Sequence, residues 1–264
     1  SDLKIFESAK KRFLIQLLII LLFVFLNQIE VVPTKIYFFD NLIQNTYWSY
    51  FFSAFCLMIL INGSNFIDGL NGLLLGYFCL IILILFKLNL LNSINVSEQN
   101  FIYYLLIIFF ILILNLSNQL FLGDSGAYSL SFLIGFLLIE IYNNNQDISP
   151  YFIIVLLWYP CFENLFSIIR KFNKKRNPLE PDTEHFHQKL FIFYKEKLKM
   201  NILKSNILSS LTILSFNFVI FNIASQAISH SIFQICLLVF CTLLYLSIYI
   251  LINKIMKKDN SFTF

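Results

Sequence analysis

Charged residues are scarce in this chain, and their scarcity excludes an ordinary soluble domain. They make up 13% of the residues, whereas 58% are hydrophobic and 18% are aromatic. A typical soluble domain carries about 25% charged residues. The five cysteines all lie in apolar runs and lack the paired spacing of metal ligands, so we expect neither disulfides nor a zinc site. The composition indicates an integral membrane protein.

Long apolar runs predict an all-α, polytopic membrane fold, a helix bundle that forms a single domain over residues 1–264. A helix needs about 20 apolar residues to cross a bilayer. Runs near this length predict about eight transmembrane helices, at 13–31, 47–62, 73–91, 101–122, 128–142, 150–169, 203–224 and 231–253.

Basic residues are nearly absent from one side of this predicted bundle. When the loops alternate between the two sides, only Lys35 and Lys87 fall near one side, and all other lysines and arginines fall on the opposite side. The positive-inside rule makes the basic side cytoplasmic. The polar breaks after the second and fourth predicted spans face this cytoplasmic side.

The first of these breaks, residues 62–73, reads Asn-Gly-Ser-Asn-Phe-Ile-Asp-Gly-Leu-Asn-Gly-Leu. It holds one carboxylate, Asp68, and three amides, which belong to Asn62, Asn65 and Asn71. A polar cluster between membrane-length segments is costly unless it faces water, protein or a ligand, so it is a candidate functional site. A solvated turn that joins two helices is the alternative interpretation.

The second break places Asp124 between Gly123 and Gly126, just before the fifth predicted span. Glycines let the backbone approach a ligand closely, and helix N-termini favour anions, so the pattern suits a metal or phosphate site. A helix cap is the alternative role for this aspartate. Glu163, inside the sixth span, either pairs with Arg170 or has a catalytic role.

The longest predicted cytoplasmic segment, residues 170–204, is basic and contains two of the three histidines. Its candidate binding residues are Arg170, Arg176, His185 and His187. One helical face of residues 190–198 carries Leu190, Phe191, Tyr194 and Leu198, which predicts a helix lying in the membrane interface. Attraction to anionic lipid also explains the lysines, but it does not explain the paired histidines.

Three ordered motifs resemble the polyprenyl-phosphate N-acetylhexosamine-1-phosphate transferases, the WecA and MraY superfamily, or glycosyl transferase family 4. The residues from Asn62 to Leu73 resemble the family signature Asn-x-x-Asn-x-x-Asp-Gly-x-Asp-Gly-Leu, with Asn71 in place of the second aspartate. Residues 123–126, Gly-Asp-Ser-Gly, resemble its Gly-Asp-Thr/Ser-Gly motif. Residues 181–187, Pro-Asp-Thr-Glu-His-Phe-His, resemble its histidine-rich loop. The family's leading Asp-Asp pair corresponds to Ser1 and Asp2.

The resemblance implies transfer of N-acetylhexosamine 1-phosphate from a UDP-sugar to polyprenyl phosphate, such as undecaprenyl phosphate, with release of UMP. By this resemblance Asp2, Asp68 and Asp124 are catalytic. Asp124 and Asp68 bind Mg²⁺ or Mn²⁺. The three asparagines, the two arginines and the two histidines named above bind substrate.

The resemblance also implies a bacterial inner membrane location, a cytoplasmic active site, a role in starting a cell-envelope glycan, and a homodimer. We expect no nucleic-acid partner. Family members have two further spans upstream, so this chain resembles a member cut at its first motif. The alternative functions are a membrane transporter or lipid flippase, in which broken helices and buried carboxylates are also expected, and an inactive truncated homologue.

Overall fold

The computed structural model describes residues 9–31, 33–94, 98–177 and 183–260, and every regular element within them is a helix. The predicted all-α fold is therefore confirmed. Asp2 and the Pro181-Asp182 part of the third motif lie outside the described residues. The helices are α1 (Ala9–Leu26), α2 (Tyr37–Ile43), α3 (Thr46–Ile67), α4 (Leu73–Lys87), α5 (Glu98–Leu116), α6 (Gly123–Asn144), α7 (Pro150–Asn173), α8 (Phe186–Glu196), α9 (Ile202–Ala224) and α10 (Ser231–Asn260).

Five of these helices, α3, α6, α7, α9 and α10, are long and apolar enough to cross a membrane. The chain is accordingly a multi-pass membrane protein. Three further helices, α1, α4 and α5, coincide with predicted spans. The apolar parts of α4 and α5 are shorter, and α1 opens with Lys10, Lys11 and Arg12. The number of eight spans stays a prediction.

Several helix boundaries differ from the predicted ones, and two of these differences concern the motifs. The second span was predicted to end near residue 62, but α3 continues to Ile67. Asn62 lies within α3, and its side-chain amide donates to the carbonyl oxygen of Met58, 2.9 Å away and one turn earlier. The polar break is therefore only residues 68–72. At the other motif, α6 begins at Gly123, so Asp124 lies in its first turn.

Pro160 inside α7 leaves a backbone carbonyl without its usual partner, and a side chain from α4 replaces that partner. Proline has no N–H to bond the carbonyl oxygen of Leu156. The Tyr77 hydroxyl donates to that oxygen at 2.9 Å. On the opposite side, Gly63 of α3 packs so closely that a Cβ there would collide with the Pro160 carbonyl. The proline thus joins α7 to both α3 and α4.

The packing of the helices gathers three chain segments at one end of the bundle. Helix α3 contacts α1, α6 and α7, while α4 packs on α9 and α5. Helix α8 packs on α9 and α10 and buries Phe186 and Leu190 against them. The predicted location of α8 at a lipid interface stays a prediction. The end of α3, the start of α6 and the start of α8 form what we call the site end.

Candidate active site

The turn between α3 and α4 holds Asp68 at the point where α3 ends. Asp68 is the C-cap residue, and its backbone N–H donates to the carbonyl oxygen of Ser64 at 3.1 Å. Gly72 precedes α4 with φ at +75°, a left-handed conformation that favours glycine. A Cβ at Gly72 would also collide with the Leu116 side chain. The turn therefore depends on glycine to place Asp68 at the site end.

Asn71 fixes this turn to the neighbouring helices. Its backbone N–H donates to Oδ1 of Asn206 at 3.0 Å, and its carbonyl oxygen accepts from the Ser210 hydroxyl at 2.9 Å. Its side-chain amide donates to Oδ1 of Asn118. The structure thus gives Asn71 partners on α9 and in the turn before α6. Its predicted contact with substrate stays a prediction, as do those of Asn62 and Asn65, which lie half-buried on α3.

Asp124 lies in the first turn of α6, beside a cation from α1. Gly123 precedes it with φ at +62°. The Nη1 atom of Arg12 lies 3.1 Å from Oδ2 of Asp124, and the two side chains are 38% and 45% exposed. The carboxylate is therefore paired with a cation but remains reachable from solvent.

Asp68 and Asp124 come from separate motifs, and the structure brings them within electrostatic reach of each other. Burial, and secondly the charge of Asp124, raise the pKa of Asp68 from 3.8 to about 7. Two carboxylates that repel in this way are expected where a divalent cation binds between or beside them. This electrostatic interaction fits the prediction that Asp68 and Asp124 belong to one site, which stays a prediction.

The histidine loop is anchored to α7 by Glu163. The ring Nδ1 of His185 lies 3.0 Å from Oε1 of Glu163, and the backbone N–H of Phe186 donates to the same oxygen at 3.1 Å. The Tyr245 hydroxyl of α10 donates to Oε2 at 2.8 Å. His185 is the N-cap residue of α8 and is 3% exposed. It thus lies inside the bundle.

His187 follows in the first turn of α8 and faces the Asp68 turn. It is fully buried, and neither ring nitrogen has a hydrogen-bond partner among the described residues. Its Nε2 atom lies 3.2 Å from the position that a Cβ on Gly69 would occupy. Burial, opposed by the charge of Glu163 and helped by the neighbouring His185, lowers the pKa of His187 from 6.5 to about 4. The ring is therefore neutral at physiological pH.

The two histidines point to the same side, although they are two positions apart. Their rings stack with centroids 5.7 Å apart and an interplanar angle of 14°. This arrangement is allowed because His185 is extended, with φ −67° and ψ 150°, and only His187 is helical. The His185 ring also lies against Phe66 of α3, with centroids 4.8 Å apart. The histidine loop therefore contacts the last turn of α3.

The two predicted arginines differ in their surroundings. Arg170 is buried near the end of α7, where its guanidinium lies over the rings of Phe166 and Tyr249 at 5.4 and 5.8 Å from their centroids. Its Nε atom is 3.9 Å from Oε2 of Glu184. Arg176 is exposed. The structure thus places Arg170 on the α10 side of the histidine loop, and the predicted roles of both arginines in binding stay predictions.

The donor set suits Mg²⁺ or Mn²⁺ better than a zinc-type site. Among the described residues there is no group of three or more His, Cys, Asp or Glu side chains that could hold a metal ion. Mg²⁺ commonly binds through one or two carboxylates, together with water and substrate phosphate oxygens. Asp68 and Asp124 fit that requirement.

Several residues at the site escaped sequence analysis. Arg12 was one of the basic residues counted on the predicted cytoplasmic side. Tyr245 lies in an apolar run that predicted only a transmembrane helix, and a tyrosine in such a run gives no signal of its own. Asn115 accepts from the Gly72 N–H at 2.6 Å, yet it is a single amide at the end of an apolar helix. Glu163 did give a signal, because a carboxylate in a membrane helix needs a partner.

Comparison with known proteins supports the motif analysis. The chain is 25% identical over 128 residues to the undecaprenyl-phosphate alpha-N-acetylglucosaminyl 1-phosphate transferase of Thermotoga maritima, a match that covers 48% of this chain and 38% of that protein. It is 24% identical over 188 residues to a probable undecaprenyl-phosphate N-acetylglucosaminyl 1-phosphate transferase of Bacillus subtilis. This match covers 70% of this chain and 52% of that protein. The chain thus spans about half or less of the length of these relatives. No solved structure matches it significantly.

The model of one family covers more than half of the chain. Residues 3–142 match glycosyl transferase family 4, and this range includes Asp68, Asp124 and Arg12. The histidine loop lies beyond it. With the family model and both relatives in agreement, the chain belongs to glycosyl transferase family 4.

Proposed function

We propose that this protein transfers N-acetylhexosamine 1-phosphate from a UDP-sugar to a polyprenyl phosphate such as undecaprenyl phosphate, and releases UMP. The names of the two relatives support the lipid acceptor and the type of group transferred. The observation that carries the proposal is the convergence of Asp68, Asp124 and His187 at one end of the bundle. These residues come from three separate motifs.

The reaction requires charge neutralisation more than it requires a strong base. An oxygen of the acceptor phosphate attacks the β-phosphorus of the UDP-sugar, and the bond from that phosphorus to the bridging oxygen breaks, so that UMP leaves with the oxygen. A phosphate monoester has a second pKa near ~6, so much of the acceptor is already a dianion at neutral pH. Positioning and electrostatic stabilisation therefore account for most of the catalysis.

Asp68 and Asp124 are the proposed ligands of Mg²⁺ or Mn²⁺. When bound, the ion supplies positive charge to the diphosphate oxygens during transfer. Arg12, which already pairs with Asp124, adds a second positive charge beside the same carboxylate. Asp2, outside the described residues, is proposed as a further catalytic carboxylate on the basis of the motif.

His187 is suited to bind substrate through a hydrogen bond. Its neutral ring carries one N–H donor, and both of its nitrogens lack partners among the described residues. A buried polar group without a partner costs free energy, so an incoming phosphate or nucleotide oxygen would satisfy it. His187 is therefore proposed to orient the nucleotide-sugar next to Asp68.

The distribution of charge supports an orientation with the site in the cytoplasm. Every lysine and arginine except Lys35 and Lys87 falls on the side of the site end when the predicted spans alternate. We propose that the protein works in the bacterial inner membrane and begins a cell-envelope glycan of the O-antigen, teichoic acid or capsule type. A homodimer is proposed from the family alone.

The test is UMP release by the purified chain in detergent, with polyprenyl phosphate, Mg²⁺ and a panel of UDP-N-acetylhexosamines. We expect release that depends on the lipid and on one sugar, and that disappears with chelator and in Asp124→Asn. Lys10→Gln, an exposed change in α1, is the matched control and retains activity. Absence of release with the whole panel would contradict the transferase and favour a transporter or an inactive homologue.

A further inference from the structure

Glu163 is a carboxylate with no solvent exposure inside a helix that is long enough to cross the membrane. A carboxylate at such a position is costly unless donors surround it. The ring of His185, the backbone N–H of Phe186 and the hydroxyl of Tyr245 supply them, at 3.0, 3.1 and 2.8 Å. When Glu163 is ionised it only accepts, so the proton of His185 then lies on Nδ1. Both carboxylate oxygens are thus occupied.

Two of these three donors belong to the beginning of α8. The first backbone N–H groups of a helix have no partner within the helix, and its N-terminus favours negative charge. His185 is the N-cap residue and is not one of the usual capping types. Within α8, Oε1 of Gln188 accepts from the backbone N–H of His185 at 3.2 Å. The carboxylate of Glu163, which comes from α7, accepts from the next backbone N–H, that of Phe186. Glu163 therefore caps α8 from a different helix.

The same turn of α8 determines where the His187 ring points. His187 follows Phe186 directly, and its ring stacks on that of His185 with centroids 5.7 Å apart. Its Nε2 atom faces Gly69, the residue after Asp68. No hydrogen bond to a described residue holds the His187 ring itself. Its orientation consequently depends on the backbone and on the neighbouring ring, both of which Glu163 holds.

We propose that Glu163, supported by Tyr245, is a positioning residue that orients His187 toward the Asp68 turn. The orientation is a property of the fold, and its effect on turnover rests on the proposed transferase function. Glu163 does not reach the Asp68 turn itself in this account, since its oxygens are taken by His185, Phe186 and Tyr245. It acts through α8.

The orientation can be tested without activity, by nitrogen NMR of protein with isotope-labelled histidine. The chain has three histidines, so the spectrum is simple, and His230 is exposed and distant in sequence from the site residues. In Glu163→Gln one oxygen acceptor is replaced by an N–H donor, so the signals of His185 and His187 shift while those of His230 remain. The matched control is Glu140→Gln in α6, which leaves the signals of all three histidines unchanged.

Kinetics test the consequence for turnover. Misplacement of a substrate-positioning group by about 1 Å can cost about 100-fold in rate, so we expect Glu163→Gln to lower kcat by about 10- to 100-fold, with a smaller change in KM. Tyr245→Phe removes one of the three donors and has a smaller effect in the same direction. Tyr245→Phe also tests the positioning role of Glu163 if Glu163→Gln does not fold. Glu140→Gln retains the wild-type kcat.

The outcomes separate the two proposals. Unchanged His187 signals and unchanged kcat in both site variants, with an active wild type, would overturn the role of Glu163 alone. A wild type that transfers nothing, but whose His187 signals move in Glu163→Gln, would overturn the transferase and leave the orientation by Glu163 in place.

Discussion

Arg12 of α1 and Asp124 of α6 form an ion pair, with Nη1 3.1 Å from Oδ2, that joins the first described helix to the second aspartate motif. Both side chains are more than one third exposed, 38% and 45%. Solvent screens such pairs strongly, so the bond contributes little to folding. Its value is positional, because it keeps a positive charge beside a carboxylate that is proposed to bind a metal ion and a diphosphate.

Arg12→Gln separates this role from stability. We expect the free energy of unfolding to change by less than about 1 kcal/mol, since the pair is exposed. The rate of UMP release should fall by about tenfold or more, because one positive charge leaves the site. Thermal unfolding in detergent and the UMP assay measure the two effects, with Lys10→Gln as the control. Equal activity of the two variants would contradict a role for Arg12 at the site.

Metal affinity should depend on the protonation of Asp68. Its pKa is raised from 3.8 to about 7, so below pH 7 a cation must displace a proton from it. We expect affinity for Mn²⁺ to fall about tenfold for each pH unit below 7 and to level off above it. Electron paramagnetic resonance of bound Mn²⁺ measures this, and Asp68→Asn removes the dependence. An affinity that is constant with pH contradicts the assignment.

The same carboxyl group affects the stability of the metal-free protein in the opposite direction. A folded-state pKa above the ordinary value means that the folded protein binds the proton more tightly than the unfolded chain does. The resulting stability is fully present below pH 3.8 and is lost as the pH rises through about 7. The midpoint of unfolding should therefore decrease over this window in wild type, and less so in Asp68→Asn.

His187 should remain neutral over the whole physiological pH range. Burial lowers its pKa from 6.5 to about 4. Nitrogen NMR of labelled histidine should show His187 titrating near pH 4. Addition of UDP should shift the His187 signals at neutral pH if the ring donates to the nucleotide. A His187 that titrates near the ordinary value of 6.5 would show that the ring is not buried as described.

Gly63 should be intolerant of any side chain. A Cβ there would collide with the Pro160 carbonyl, which is backbone and cannot rotate away. We expect Gly63→Ala to destabilise the protein by about 1–3 kcal/mol. Gly126→Ala is the matched control, because its nearest neighbour is the flexible Leu122 side chain at 3.2 Å and the loss should be smaller. Thermal unfolding in detergent compares them, and equal losses would contradict the close packing of α3 on α7.

The sequence was sufficient to predict the features that follow from periodicity and from short motifs. Apolar runs predicted a helix at each of eight places, and the structure has a helix at each of them. The orientation that the charge distribution predicts stays a prediction. The glycine-flanked aspartates predicted Asp68 and Asp124 as members of one site, which their electrostatic proximity supports. Each of these inferences depends only on residues that are close together in the sequence.

The rest depends on contacts between distant segments, which no local pattern reveals. Asn71 is engaged by Asn206, which lies far along the chain on α9. Glu163 was expected to pair with Arg170 or to take part in catalysis, and the structure shows it holding His185 and Tyr245. The length of α3 was underestimated because Asn62 satisfies its own amide within the helix. Such partners become visible only when the helices are packed.

The central claim is that the sugar leaves the nucleotide together with its phosphate. A UDP-N-acetylhexosamine labelled in the β-phosphorus tests this directly, with the purified chain, polyprenyl phosphate and Mg²⁺. We expect the label to move into the organic phase with the lipid, UMP to be unlabelled, and Asp68→Asn and Asp124→Asn to abolish the transfer. Label that stays in water as UDP or free phosphate, while the lipid remains unlabelled, would contradict it.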